Sequence, residues 1–116
     1  MKYNNLIWSD ELLDNGSSKT QEDWVVWCKK NGWRLPSIKN YESLLGCKGK
    51  FMDDLRKEMN KYWFMTADTL TSPFSGIKRP VVLGNFGSNN RFLILANLGD
   101  DLRPARGVRV KGSVRE

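Results

Sequence analysis

The 116-residue chain contains no histidine. That removes the side chain best suited to proton transfer near neutrality and the commonest imidazole metal ligand. Cysteine is scarce as well. Cys28 and Cys47 are the only two, and two thiols without an imidazole do not make a zinc site. No Gly-x-Ser-x-Gly elbow occurs, so the serines lack both an activating base and a strained nucleophile turn. No phosphate-cradling loop is present, and Gly84-Asn85-Phe86-Gly87 has turn composition only. The adjacent carboxylates Asp53 and Asp54 fall on a helix pattern, where neighbours point about 100° apart and make a poor acid–base pair. A non-enzymatic protein is therefore expected, with no catalytic residue, metal or cofactor.

Long apolar runs are also missing. Leu6-Ile7-Trp8 is followed at once by Ser9-Asp10, too short for a signal peptide or a membrane span. Synthesis in the cytoplasm is expected, with association with a virion as a later destination. There is no internal repeat and no low-complexity tract. The length suits one domain, residues 1–116.

Tryptophan and positive charge are abundant. Trp8, Trp24, Trp27, Trp33 and Trp63 imply a tryptophan-rich core. Lysine and arginine outnumber aspartate and glutamate by 19 to 13, giving a net charge of +6. The C-terminal stretch carries Arg103, Arg106, Arg109, Lys111 and Arg115 against one acid. Such a balance fits either a solvated surface or a basic stripe for nucleic acid or another anion. The cysteines likewise have two readings, a disulfide in an oxidising compartment or buried thiols in a reducing one. Cys28 falls on the apolar face of a helix pattern, which favours the buried thiol.

Helix signals cluster early. Thr20 followed by Asp23 is a capping pattern, Trp24, Trp27, Cys28 and Asn31 share a face, and Gly32 supplies a left-handed stop. Pro36 forces Leu35 into an extended shape. Ser37 caps a second helix whose buried face is Ile38, Tyr41, Leu44 and Leu45, closed by Gly46. Phe51, Leu55 and Met59 predict a third helix over about 51–60, with Asp53, Arg56 and Lys57 on its other face. Strand signals come later. They cover residues 62–66, 81–83, 91–96 and 106–111, with an early strand at 6–8 and loops at 69–76, 84–90 and 97–104. Phe92-Leu93-Ile94-Leu95 suits a central strand covered on both faces. In the last strand the alternation places Val108 and Val110 inward and Arg109 and Lys111 outward. The class is α+β, two to three helices on a small twisted antiparallel sheet. Pairing of its first and last strands would bring the termini together.

Gly32-Trp33-Arg34-Leu35-Pro36-Ser37 resembles the "WRLPT" signature of the C-type-lectin-like domain at the C-terminus of collagen-like bacterial adhesins and related phage proteins. Leu6-Ile7-Trp8 is similar to that family's opening "LMW" strand, and Tyr62-Trp63 to its "YWSST" strand. Arg106-Gly107-Val108-Arg109 resembles its closing "RCVR" strand, with glycine in place of the cysteine. The resemblance spans most of the chain and implies a C-type-lectin-like fold that displays loops. In that frame Trp33, Arg34, Leu35, Pro36 and Trp63 are structural. Trp33 and Leu35 wedge under the sheet, and Arg34 is held by backbone carbonyls or by an acid such as Asp10 or Glu42. The lectin-type calcium sequences Glu-Pro-Asn and Trp-Asn-Asp are absent, so Asp100-Asp101 beside Asn97 reads as a solvated turn rather than a calcium site.

Binding is then expected on the late loops, through Phe74, Lys78 and Arg79, through Asn89 and Asn90, and through Asp100, Asp101 and Arg103. The expected partner is a protein or glycan, within a larger assembly or a homo-oligomer. The competing expectation is a nucleic-acid- or anion-binding accessory protein using Arg106, Arg109, Lys111 and Arg115 as a basic face.

Overall fold

A computed structural model describes residues 1–3, 5–44, 48–86, 91–97 and 101–110, with residues 85, 86 and 91–93 as backbone. Among them are three helices and two small antiparallel sheets, an α+β architecture. The first sheet has the order β1-β2-β6, from β1 (Lys2–Tyr3), β2 (Leu6–Trp8) and β6 (Val108–Val110). β2 runs antiparallel to β6, Trp8 opposite Val108, so the early and late ends of the chain meet as the sequence predicts. The second sheet has the order β3-β4-β5, from β3 (Phe64–Thr71), β4 (Lys78–Phe86) and β5 (Arg91–Ala96). Between the sheets in sequence come α1 (Gln21–Asn31), α2 (Ile38–Glu42) and α3 (Lys50–Met59).

The helix ends follow the capping chemistry. The Thr20 side chain accepts from the Asp23 N–H, and Gly32 closes α1 in the left-handed region at φ 76°. Ser37 and Asn40 form a reciprocal capping box on α2. Trp24 and Cys28 are buried, whereas Asn31 is exposed and its amide donates to the Trp27 carbonyl. α2 stops at Glu42, and Leu44 is buried in the turn that follows. Leu45, Gly46 and Cys47 lie outside the described residues.

The core has two clusters, separated by the β3–β4 pair. Phe64 and Leu83, opposite one another, join Trp8, Tyr41, Leu44, Leu55 and Val108 on one side. Met65 and Val82, the next pair, join Leu13, Trp24, Cys28, Leu35 and Ala105 on the other. Successive residues of a strand face opposite ways, so this short stretch is the part of the sheet covered on both faces. The apolar run at 91–96 is not. β5 takes the outer place in the sheet order, and Ile94 and Leu95 are 40% and 47% exposed. Hydropathy reports an apolar strand but not its place in the order.

β3 is also longer than its composition suggests, because it contains an irregularity. Its register shifts between Met65 and Thr69. The residues in the shift serve as a junction. The Ala67 N–H donates to the Pro36 carbonyl at 2.9 Å, and the Asp68 carboxylate accepts from the Ile38 N–H at 2.7 Å. The Pro36–Ile38 corner is thereby fixed to the sheet.

The Trp33-Arg34-Leu35 segment is stitched to β6 by two backbone bonds between Arg34 and Val108, at 2.9 and 3.0 Å. Leu35 is buried and Trp33 half-buried against the second cluster. Arg34 itself is exposed. Its guanidinium donates to the Leu35 carbonyl at 3.4 Å, a backbone acceptor of the expected kind, and to the Asn40 side-chain oxygen at 3.1 Å rather than to Asp10 or Glu42. The half-buried Trp63 ring covers Gly84, where a Cβ would lie 3.1 Å from it.

Residues 104–107 run through the interior, although they form no strand. Several of their backbone groups are bonded from three directions. Met65 N–H donates to the Pro104 carbonyl, Leu13 N–H to the Ala105 carbonyl, and Ser9 exchanges bonds with Gly107. A Cβ at Gly107 would stand 3.0 Å from Leu13 Cδ1 and 3.1 Å from Trp33 Cβ. A side chain at 107 therefore needs Leu13 or Trp33 to shift. Gly107→Ala should cost about 1–3 kcal/mol through overpacking. Urea denaturation checks it, and an unchanged midpoint would show that Leu13 and Trp33 give way freely.

Candidate functional site

The β3–β4 hairpin outruns the rest of its sheet. β5 ends with Ala96 opposite Val81, while β3 and β4 continue through Thr69–Pro80, Leu70–Arg79 and Thr71–Lys78. The turn at 72–77 is held by Ser72 N–H donating to the Ile77 carbonyl and Gly76 N–H to the Ser72 carbonyl, both at 2.9 Å. Gly76 sits at φ 69°, where a side chain would be strained. The Ser72 hydroxyl accepts from the Phe74 and Ser75 N–H groups. This small, self-bonded turn carries Phe74 at 98% exposure, with Leu70 and Ile77 each about half exposed. Lys78 is exposed and Arg79 half-buried just below.

At the base of the hairpin a cavity of about 340 Å³ opens against the start of α1. Gln21 fixes this contact, its amide donating to the Thr66 and Asp68 carbonyls at 2.8 and 3.1 Å. Thr20, Glu22, Thr69, Lys78 and Asp101 supply hydroxyls and charges of both signs to the walls. The loop carrying Asp101 is organised by Asn97, which is 2% exposed. The Asn97 amide nitrogen donates to the Asp101 carbonyl at 2.8 Å, and its oxygen accepts from Arg103 Nε at 3.0 Å. That oxygen is committed to the loop. Among the described residues no group of three or more carboxylates and thiols is placed to hold a metal ion. The arrangement can hydrogen-bond and ion-pair a polar ligand.

The structure thus unites two of the predicted loops. Lys78 from one and Asp101 from another line the same cavity, with Phe74 and Arg79 on the hairpin above. Arg103 is partly buried and braces the loop rather than presenting itself. Asn89, Asn90, Asp100, Lys111 and Arg115 lie outside the described residues.

The basic face requires correction. Arg106 is 1% exposed, and its guanidinium binds Glu58 through Nε and Nη2 and the Ser9 carbonyl through Nη1. It shares the inward parity of Val108, and its charge is neutralised inside the protein. Arg109 faces the other way but sits over Trp33, its guanidinium carbon 4.3 Å from the ring centroid. Val110, expected inward, is 48% exposed.

Gln21, Glu22, Leu70 and Ile77 were not singled out by sequence, and Thr20 was legible only as a helix cap. Gln21 reads as an ordinary first-turn helix residue, and its role depends on a strand 45 residues away.

Cys28 is a free, buried thiol. Burial pushes it up from 9.0 to about 11. At pH 8 its alkylation should run about 100-fold slower than that of the unfolded chain. The raised value also gives a pH dependence with a definite sign. The unfolded thiol ionises first, so the contribution is whole below pH 9 and is lost as pH rises toward 11. Burial also raises Tyr41, which acts in the same direction. Urea melts across this range should show falling stability, with a shallower fall in Cys28→Ala. An equally steep fall would remove Cys28 from the account.

No helix among the described residues is long and apolar enough to cross a membrane. No family model, curated protein or solved structure matches the chain.

Proposed function

We propose that the chain is a non-enzymatic binding domain of C-type-lectin-like architecture, one that engages a protein or glycan partner through the β3–β4 hairpin tip and the polar cavity at its base. A phage or bacterial-surface assembly is the setting that the sequence resemblance implies. The observation that carries the reading is the 98% exposure of Phe74 on a turn braced by its own hydrogen bonds. Single exposed apolar residues are common and need no explanation. Here Leu70, Phe74 and Ile77 gather on one projecting finger, with Lys78 and Arg79 beneath them. An exposed aromatic with apolar neighbours and an arginine nearby has the side-chain types enriched at interface centres. The cavity below adds directional polar groups, which favours a specific partner over general stickiness.

The test places a photo-crosslinking phenylalanine analogue at position 74 or at the exposed Asp53 of α3, in cells of the source organism. Crosslinks from position 74 should concentrate in one protein or glycan species, and Phe74→Ser should weaken its capture at least about tenfold. Equal labelling from both positions would reject the reading. Crosslinking mainly to nucleic acid would favour the basic accessory protein instead.

A further inference from the structure

The two outer edges of the β3-β4-β5 sheet are treated differently. The outer edge of β3 is occupied: Met65 N–H donates to Pro104, Ala67 N–H to Pro36, and the Thr66 and Asp68 carbonyls accept from Gln21. The outer edge of β5 has no such cover among the described residues. Its polarity can be assigned. Asn97 N–H donates to the Pro80 carbonyl at 2.7 Å, so residues 97, 95, 93 and 91 direct their backbone groups toward β4. By the two-residue alternation of an antiparallel ladder, Phe92, Ile94 and Ala96 direct theirs outward.

This edge lacks the usual protections. Residues 92–96 contain no proline and no charge, and the pairing of β5 with β4 runs without a bulge. Ile94 and Leu95 point to opposite faces and are both exposed, so apolar surface flanks the open backbone on each side.

We propose that β5 pairs antiparallel with β5 of a second copy, about a two-fold axis at Ile94, joining two three-stranded sheets into one of six. The outward residues are symmetric about Ile94, which makes the edge complementary to itself. Phe92 meets the partner's Ala96, Ile94 the partner's Ile94, and Ala96 the partner's Phe92, each pair exchanging both backbone bonds. Arg91 then falls opposite the partner's Asn97, so the strand's only charge meets no like charge. A two-fold contact closes both open edges at once. One strand pair with its flanking side chains buries less than the ~1,200 Å² of a standard interface, so association is expected to be weak and reversible.

Sedimentation velocity of the full chain from about 1 to about 300 μM tests it. The wild type should pass from monomer to dimer. Ile94→Lys and Ile94→Glu should each stay monomeric with unchanged circular dichroism, because each sets two like charges at the axis. Mixing the two variants should restore a dimer containing one of each, since position 94 meets itself. Ile94→Cys should form an intermolecular disulfide, mapped by peptide mass, because Cα atoms of a hydrogen-bonded pair stand about 5.5 Å apart. Ala96→Cys should not, since its own counterpart lies about 13 Å away along the ladder. A wild type monomeric throughout would overturn the proposal and leave the edge to a strand of another protein. Dimers that survive either charge variant, or crosslink through position 96, would overturn it as well. The edge is separate from the hairpin tip, so Phe74→Ser should dimerise as the wild type does.

Discussion

Glu58→Ala should destabilise the protein by about 3–5 kcal/mol, more than Arg106→Met does, although arginine is the more deeply buried partner. Arg106 is 1% exposed, while the Glu58 side chain is 27% exposed. Removing the carboxylate strands a full cation in the core with the Ser9 carbonyl, at 2.9 Å, as its remaining hydrogen-bond acceptor. The Phe51 ring, 5.3 Å from the guanidinium carbon, compensates little of that desolvation. Arg106→Met removes the buried charge itself. Glu58 then hydrates at its exposed side, methionine packs under Phe51, and the Ser9 carbonyl loses one donor, a cost of about 1–2 kcal/mol. A domain of this size holds only about 5–15 kcal/mol in total, so the two variants should separate clearly in urea denaturation. The double variant should be no less stable than Glu58→Ala alone. If Arg106→Met proved equally or more damaging, Arg106 would be acting through packing and the Ser9 bond rather than through its pair.

That pair also shows where sequence reading reached its limit. Arg106 has the parity of Val108, but every residue from 104 to 108 is buried and Val110 is exposed, so alternation alone does not set its burial. A cation in such a stretch reads as surface unless its counter-charge is known, and Glu58 lies 48 residues away on α3. Local chemistry was readable. Thr20, Gly32, Ser37 and Pro36 each act on neighbours within a few residues, and the ends of α1 and the start of α2 stand where those residues put them. Long-range order was not readable. The split into two sheets depends on β6 joining β2 and leaving β3–β4 to α1, α3 and β5, a choice made by tertiary packing. The shift at 66–68 has no side-chain alternation to announce it. Of the candidate site, Phe74, Lys78, Arg79 and Asp101 were legible as loop residues of binding composition. The convergence of Lys78 and Asp101 on Gln21 and the start of α1 was not, because that contact is fixed by one amide reaching across the chain.

Trp24 links this core to the candidate site, and its substitutions should show both effects. The side chain is fully buried, and its indole N–H donates to the Arg103 carbonyl at 2.7 Å. Arg103 in turn exchanges backbone bonds with Lys19, both at 3.0 Å, and donates to Asn97, which holds Asp101 at the cavity. Trp24→Ala empties an indole-sized volume beside Trp27 and Cys28 and should cost about 3–5 kcal/mol, leaving little net stability. Trp24→Phe keeps most of the apolar volume and deletes one hydrogen bond, a loss of about 1 kcal/mol, because the Arg103 carbonyl still accepts from the Lys19 N–H. The second variant separates the two roles. If the indole N–H anchors the 97–103 loop, amide exchange at Lys19 and Arg103 should accelerate by more than the global loss accounts for, while amides in α3 should follow the global change alone. Uniform acceleration would mean that the loop is held by the Arg103–Asn97 bond without help from Trp24. In that case Asn97→Ala, not Trp24→Phe, would loosen the Asp101 wall of the cavity.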